Sequence, residues 1–388
     1  MAKERMGTRA RLLSVDLSLS ARVTRVRKRL LPIMQTAIAA GVAFWIASEV
    51  FGHTQPFFAP ISVIIIVGMT GGERISKALD ISLGCVIGVA VGDLFFYRLG
   101  SGGWQIAVIV ACALLIASFF SRSQLVNNQV AIGSVLIATI MPPGAEVTGI
   151  DRTIDAFVGA AVALVTLALI PQGPVGKARQ EISKVMELMS SVLDDVADGL
   201  RSGNEEVIEE ALDLIRGSQT DIDAMSSAVA SGAESARISP FLWGSRRYVH
   251  SLEMVIPPVD TAIRTTRVLA RRAHILCGDN DRVSPEQIEL IDALAKACLE
   301  ISDVYEVDSR KLQSVAIPRI VNDLRVLGGR AGMDVVGKDG VLSAYVILAQ
   351  TRSLIVDLLQ VCGMSRESAA AVLEPTSASP QYPPEYYG

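Results

Sequence analysis

Apolar residues run in long unbroken stretches up to about residue 170 and in spaced stripes beyond it, so the chain predicts two kinds of helix. The stretches are residues 31–50, 57–69, 78–97, 104–120, 126–141 and 153–170. A bilayer core calls for about 20 apolar residues per helix, so six crossings are predicted, with the second and fifth short for the task. After "IPQGPVG" the pattern changes. "KARQEISKVMELMSSVLDDVADGLRSG", "NEEVIEEALDLIRG" and "SPEQIELIDALAKACLEISDVYEV" space their apolar positions as amphipathic helices do. "YVHSLEMVIPPVDTAIRTTRVLARRAHIL" reads as a long helix kinked or split at Pro257 and Pro258. "AYVILAQTRSLIVDLLQVCG" closes the folded part, and "EPTSASPQYPPEYYG" has the composition of a disordered tail.

Charge divides the chain in the same places. Residues 30–170 carry 12 charged side chains in 141, whereas residues 172–388 carry 53 in 217. Residues 1–29 have a net charge of +7, the apolar block −2 and the remainder −9. The expected architecture is an all-α membrane protein. It has a basic N-terminal segment (1–29), a six-helix transmembrane domain (30–171), a cytoplasmic helical domain (172–372) and a Pro-rich tail (373–388). Basic residues flank the first, third and fourth to fifth helices and follow the sixth, at Arg74, Lys77, Arg122, Lys177 and Arg179. By the positive-inside rule both termini are cytoplasmic, in a multi-pass plasma-membrane protein. "LLSVDLSLSARVTRVRKRL" suits either an interfacial helix on anionic lipid or a flexible basic tail.

The chemistry excludes several classes. There is no P-loop, no Gly-rich dinucleotide signature and no catalytic constellation, so no enzyme activity and no cofactor are expected. The five cysteines have no metal or disulfide spacing, and His250 and His274 form no metal motif. Arg264, Arg267, Arg271 and Arg272 make a basic face, yet a net −9 without a recognisable module argues against nucleic acid. That face is expected to be solvated or to form a seam against "NEEVIEE". The tail or helical domain offers a place for a protein partner, though no residue names one.

Within the membrane block, "KALDISLGCVIG" from Lys77 aligns with "RTIDAFVGAAVA" from Arg152 at an offset of 75 residues, and "PISVIIIVG" lies over "IGSVLIAT". Two three-helix units follow, and because three is odd the second enters the membrane from the opposite side. This is the inverted-repeat arrangement of many secondary transporters. Gly84, Gly88 and Gly92 recur at i+4 and, with Gly159 and Ala163 in the last helix, predict close helix packing.

The transport or gating candidates are Lys77, Asp80, Asp93, Asn127, Asn128, Arg152 and Asp155. Asp80 and Asp155 fall near helix starts, with Lys77 and Arg152 three residues earlier. These i, i+3 pairs either anchor helix ends or make an anion-attracting entrance on each side. Asp93 is either a proton or substrate relay or an interfacial cap, since an ionisable group at membrane depth usually faces a bundle interior. Asn127 and Asn128 suit a polar solute or a helix tie. Glu49 and His53 carry weaker signals, His53 as a lone loop residue that titrates near neutrality.

The blocks "FFAPISVIIIVGMTGGERISKALDISLGCVIGVAVG" and "DRTIDAFVGAAVALVTLALIP", followed by "AIRTTRVLARRA", resemble the fusaric acid resistance and aromatic acid exporter superfamily, whose plant relatives include the aluminium-activated malate transporters. The resemblance covers roughly residues 30–272 and implies an exporter or channel for organic anions. It implies six-helix units paired within a chain or by dimerisation, hence a homodimer here. Gly84, Gly88 and Gly159 match packing glycines of the superfamily, and Arg152 a basic residue; Lys77 holds the equivalent place in the earlier block. Asp80 and Ile81 stand where relatives often carry a basic residue. The resulting expectation is a proton-driven exporter of aromatic or amphipathic organic anions, with a dimeric anion channel or an envelope-assembly scaffold as alternatives.

Overall fold

The computed structural model describes residues 19–70, 75–99, 102–139, 150–169, 174–306, 310–337 and 340–382. Among them every regular element is helical. The chain divides into two compact units, one comprising Met1–Pro174 with Glu234–Arg246, the other Val175–Ala233 with Arg247–Gly388.

The first unit holds α1 (Leu19–Trp45, continued by a π-helical turn Ile46–Val50), α2 (Phe58–Thr70), α3 (Ile75–Leu99), α4 (Gly103–Phe120), α5 (Gln124–Thr139) and α6 (Asp151–Leu169). The first 18 residues of the basic segment lie outside the described residues. From Leu19 that segment is helical and runs without a break into the first crossing. Four stretches of this unit, Leu30–Val50, Ser76–Phe96, Gly103–Phe120 and Asp151–Leu169, are long and apolar enough to span a bilayer. The 13 residues of α2 and 16 of α5 reach only about 20 and 24 Å.

Close backbone approach organises the bundle. A Cβ on Gly88 would meet Val130 O at 2.6 Å, one on Gly92 would meet Ser134 Cα at 2.8 Å, and one on Gly84 would meet Gln129 Cβ at 2.8 Å. The glycine strip of α3 is therefore the seat of α5. A Cβ on Gly159 would fall on Ala59 O, which seats α6 on α2. In lipid the hydrophobic effect does not drive helices together, so contact area from such small residues has to. Around these seams α1 packs on α2 and α6, α4 on α3 and α5, and α3 on α6. Outward faces are apolar: Leu115, Phe119 and Phe120 of α4 are largely exposed.

The second unit contains α7 (Pro174–Ser202), α8 (Glu205–Arg216), part of α9 (Gln219–Ile238), α10 (Arg246–Gly278), α11 (Pro285–Glu306), α12 (Arg310–Arg330), α13 (Leu342–Val361) and α14 (Arg366–Ala371). Their stripes meet in one core that includes Ile182, Met186, Leu193, Ile263, Leu294 and Leu358. Buried polar groups pair inside it: Ser183 with Ser302 at 2.8 Å, and Gln287 Nε2 with Ala344 O at 2.8 Å. The α13 helix is a fifth one long and apolar enough to cross a membrane. It is apolar because Ile347, Leu354, Ile355, Leu358 and Leu359 are core residues of this unit, and we treat it as a core helix. The alternative of a split at Pro257 and Pro258 is ruled out, for α10 runs continuously through both. Burial of one face holds it together, and Thr261 Oγ1 donates to the Pro257 carbonyl at 3.0 Å. Arg267 does form a seam, but with the end of α8: its Nη2 donates to Ile215 O and Ser218 Oγ, both at 3.3 Å. A cation there complements the helix dipole. The first tail residues are tied down by Glu374, whose N–H donates to Gly328 O at 3.2 Å.

Candidate functional site

The site is built where α1 and α3 end and α6 begins. At the end of α1 the π-helical turn gives way to Gly52, whose φ of +74° lies in the left-handed region that a Cβ disfavours. The reversal lets His53 N–H donate to Ala47 O at 3.2 Å and fixes the imidazole over α6. There His53 Nδ1 lies 2.6 Å from Asp155 Oδ1, and Nε2 lies 3.8 Å from Asp151 Oδ1. One turn of helix places Asp151 and Asp155 on the same face of α6.

Asp93, three-quarters of the way along α3, faces the same region. Its Oδ1 is 3.6 Å from Arg152 Nη1, with the two side chains 2% and 11% exposed. At 3.6 Å this is an ion pair and not a hydrogen bond. Both Arg152 Nη1 and Asp93 Oδ2 are buried without a hydrogen-bond partner, leaving capacity a ligand could use. Beside the charges lies an aromatic cluster of Phe57, Phe58, Phe95 and Phe96, with Ala156 of α6 in its core.

The sequence candidates thus separate. Asp93, Arg152 and Asp155 come together at one end, joined by Asp151 and His53. Lys77 and Asp80, both half-buried, lie near the start of α3. Lys77 is sixteen residues from Asp93, about 24 Å of helix. Asn127 and Asn128 begin α5, where Asn127 Nδ2 donates to Ser118 Oγ at 3.4 Å and Asn128 Oδ1 accepts from Gln124. The buried amide of that helix is Gln129, against Gly84. Pairing also differs from the expected i, i+3 pattern: Arg152 turns to Asp93 on another helix, and Asp155 to His53. Sequence reading gave His53 little weight because an isolated His has no local signature. The available signal was topological, since odd-numbered helix ends and the start of the sixth share one side of the membrane.

Long apolar helices packed through glycine, with ionisable groups buried at one end, define an all-α, multi-pass membrane protein. The chain belongs to the fusaric acid resistance protein-like family, whose match spans residues 38–166 and so includes every residue of this cluster. It is 51% identical over 387 residues to an uncharacterized protein of Corynebacterium glutamicum, covering 100% of this chain and 99% of that one. It is 30% identical over 257 residues to a protein of Mycobacterium tuberculosis described as "Putative arylamide transporter", covering 64% of this chain and 71% of the relative. A relative in Mycobacterium bovis with the same description matches to the same extent. Membership of this transport family, and not the lack of a catalytic motif, makes the protein a non-enzyme.

Proposed function

We propose that the protein is a plasma-membrane secondary transporter that exports aromatic or other amphipathic organic anions in exchange for protons. Arg152 meets the substrate's negative group, Asp93 is the carboxylate it leaves to do so, and the His53–Asp155 pair handles the proton. The observation that carries the reading is the Arg152–Asp93 pair, buried yet 3.6 Å apart and short of hydrogen bonds. A buried charge with unused donors favours an anion that completes them. The flanking phenylalanines favour an aromatic body on that anion. The description of the mycobacterial relatives agrees in naming an aromatic substrate.

In this reading α1–α3 and α4–α6 are inverted repeats. The pairing of α3 with α5 returns as α6 with α2, that of α1 with α2 as α4 with α5, and that of α3 with α4 as α6 with α1. The Lys77 end is cytoplasmic and the His53 end external, following the basic flanks. The homodimer, the tie to malate transporters and the lipid contact of the basic segment rest on resemblance and charge.

The test is efflux of 4-hydroxybenzoate from liposomes holding the purified protein, with and without an imposed pH gradient, beside Arg152→Ala and a neutral arylamide. Gradient-dependent efflux lost in the variant supports the assignment. Voltage-following flux independent of the gradient makes it a channel, and efflux of the arylamide alone removes the anion.

A further inference from the structure

We propose that residues 234–246 form an interfacial anchor that binds the anionic headgroup layer of the leaflet at the Lys77 end of the bundle. This short segment begins in the last turn of α9 and separates from the rest of that helix, for Glu234–Arg246 groups with the membrane helices. Two hydrogen bonds set its height. Glu234 Oε1 accepts from the Ser76 N–H at 3.2 Å, capping the start of α3, and Ser239 Oγ donates to Leu169 O at 3.2 Å, capping the end of α6. Ser76 and Leu169 are also the residues where the two apolar spans stop. The segment therefore lies level with the hydrocarbon boundary.

Its exposed side chains have the chemistry of that boundary. The 3-10 turn Pro240–Ser245 presents Trp243, 59% exposed, and Ile238, just ahead of the turn in the chain, is 45% exposed. Arg246 holds the turn: Nε donates to Ala236 O at 2.9 Å and Nη2 to Arg237 O at 3.0 Å, while its guanidinium lies 5.1 Å from the Trp243 ring centroid. Arg237 and Arg246 remain exposed. In water an uncovered indole and an uncovered isoleucine are unfavourable, whereas at a bilayer surface indole rings are enriched and arginine meets phosphate. The one acidic side chain of the segment, Glu234, is engaged by Ser76. This contact is separate from the basic N-terminal segment, and it stands whether or not the transport reading does.

The experiment uses full-length protein carrying Trp45→Phe and Trp104→Phe, so that Trp243 is the sole tryptophan, in nanodiscs with or without phosphatidylglycerol. Quenching is compared for lipids brominated near the carbonyl end and near the methyl end of the acyl chain, and for aqueous acrylamide. The expected result is stronger quenching by the shallow bromines, deepened by phosphatidylglycerol and reversed by salt or by Arg237→Gln with Arg246→Gln. Should the double Phe background fold poorly, the difference between wild type and Trp243→Phe supplies the same signal. Acrylamide quenching that ignores lipid would overturn the proposal by leaving Trp243 in water. Shielding from both quenchers would also overturn it, because protein would then cover the turn.

Discussion

His53 Nδ1 lies 2.6 Å from Asp155 Oδ1 although 102 residues separate them, and this contact joins the loop after α1 to the second turn of α6. With the carboxylate ionised, the ring donates through Nδ1–H and leaves Nε2 toward Asp151. Replacing His53 by Gln keeps a donor but removes the imidazole, a ring that can carry a proton on either nitrogen or on both. We expect His53→Gln to retain substrate flux while losing its response to an imposed pH gradient. Flux that stays gradient-dependent in this variant would remove His53 from proton handling.

Arg152 and Asp93 test the other half of the site. Truncating one partner leaves a buried charge uncompensated, which costs on the order of 3 kcal/mol. Arg152→Ala and Asp93→Ala should each lower thermal stability in detergent, and the paired variant Arg152→Gln with Asp93→Asn should lower it less than either. Transport should fall by about tenfold or more in Arg152→Ala, the scale of losing a charged partner in a desolvated site. A paired variant that transports normally would make the ion pair a structural tie.

The glycine seams give a test with an internal control. A methyl on Gly88 meets the α5 backbone, and one on Gly159 meets that of α2, whereas Gly41 has no atom within 4 Å. Gly88→Ala and Gly159→Ala should each destabilise by about 1–3 kcal/mol or more, and Gly41→Ala should be neutral. Size-exclusion profiles of the solubilised variants read this directly: a monodisperse Gly159→Ala protein would show that α2 and α6 sit further apart.

In the second unit, burial pushes the Asp357 carboxyl up to about 6, a rise only partly offset by the Thr265 hydroxyl that donates to it at 3.0 Å. The folded-state value lies above the unfolded one, so the folded chain holds this proton more tightly. The associated stability is fully present below about pH 4 and is lost as pH rises through about 6, on the order of 2–3 kcal/mol. Asp357→Asn keeps an acceptor for Thr265 and should abolish that loss, raising the melting temperature at neutral pH and leaving it nearly unchanged in acid. An unchanged pH profile in thermal unfolding would place the slope elsewhere.

Much of the architecture was legible because it rests on local properties. Run lengths of apolar residues marked the helices of the membrane unit, and 3.6-residue stripes marked those of the second, since each helix satisfies its own backbone hydrogen bonds. The i+4 spacing of Gly84, Gly88 and Gly92 announced a close seam because that spacing is a property of one helix face. Pro257 and Pro258 show the limit of local rules, as burial of α10 carries the helix through both.

Tertiary structure alone chose the partners. The sequence could mark Asp93, Arg152 and Asp155 as ionisable groups in apolar surroundings, but it paired Arg152 with its neighbour three residues on. The folded chain pairs it with Asp93 and hands Asp155 to His53, because helices seated through glycine bring the ends of α1, α3 and α6 together. It likewise lifted residues 234–246 out of the second unit and set them against the ends of α3 and α6. Helix formation depends on residues a few positions apart, which a sequence displays. Charge pairing depends on which surfaces meet, and only packing of the whole chain decides that.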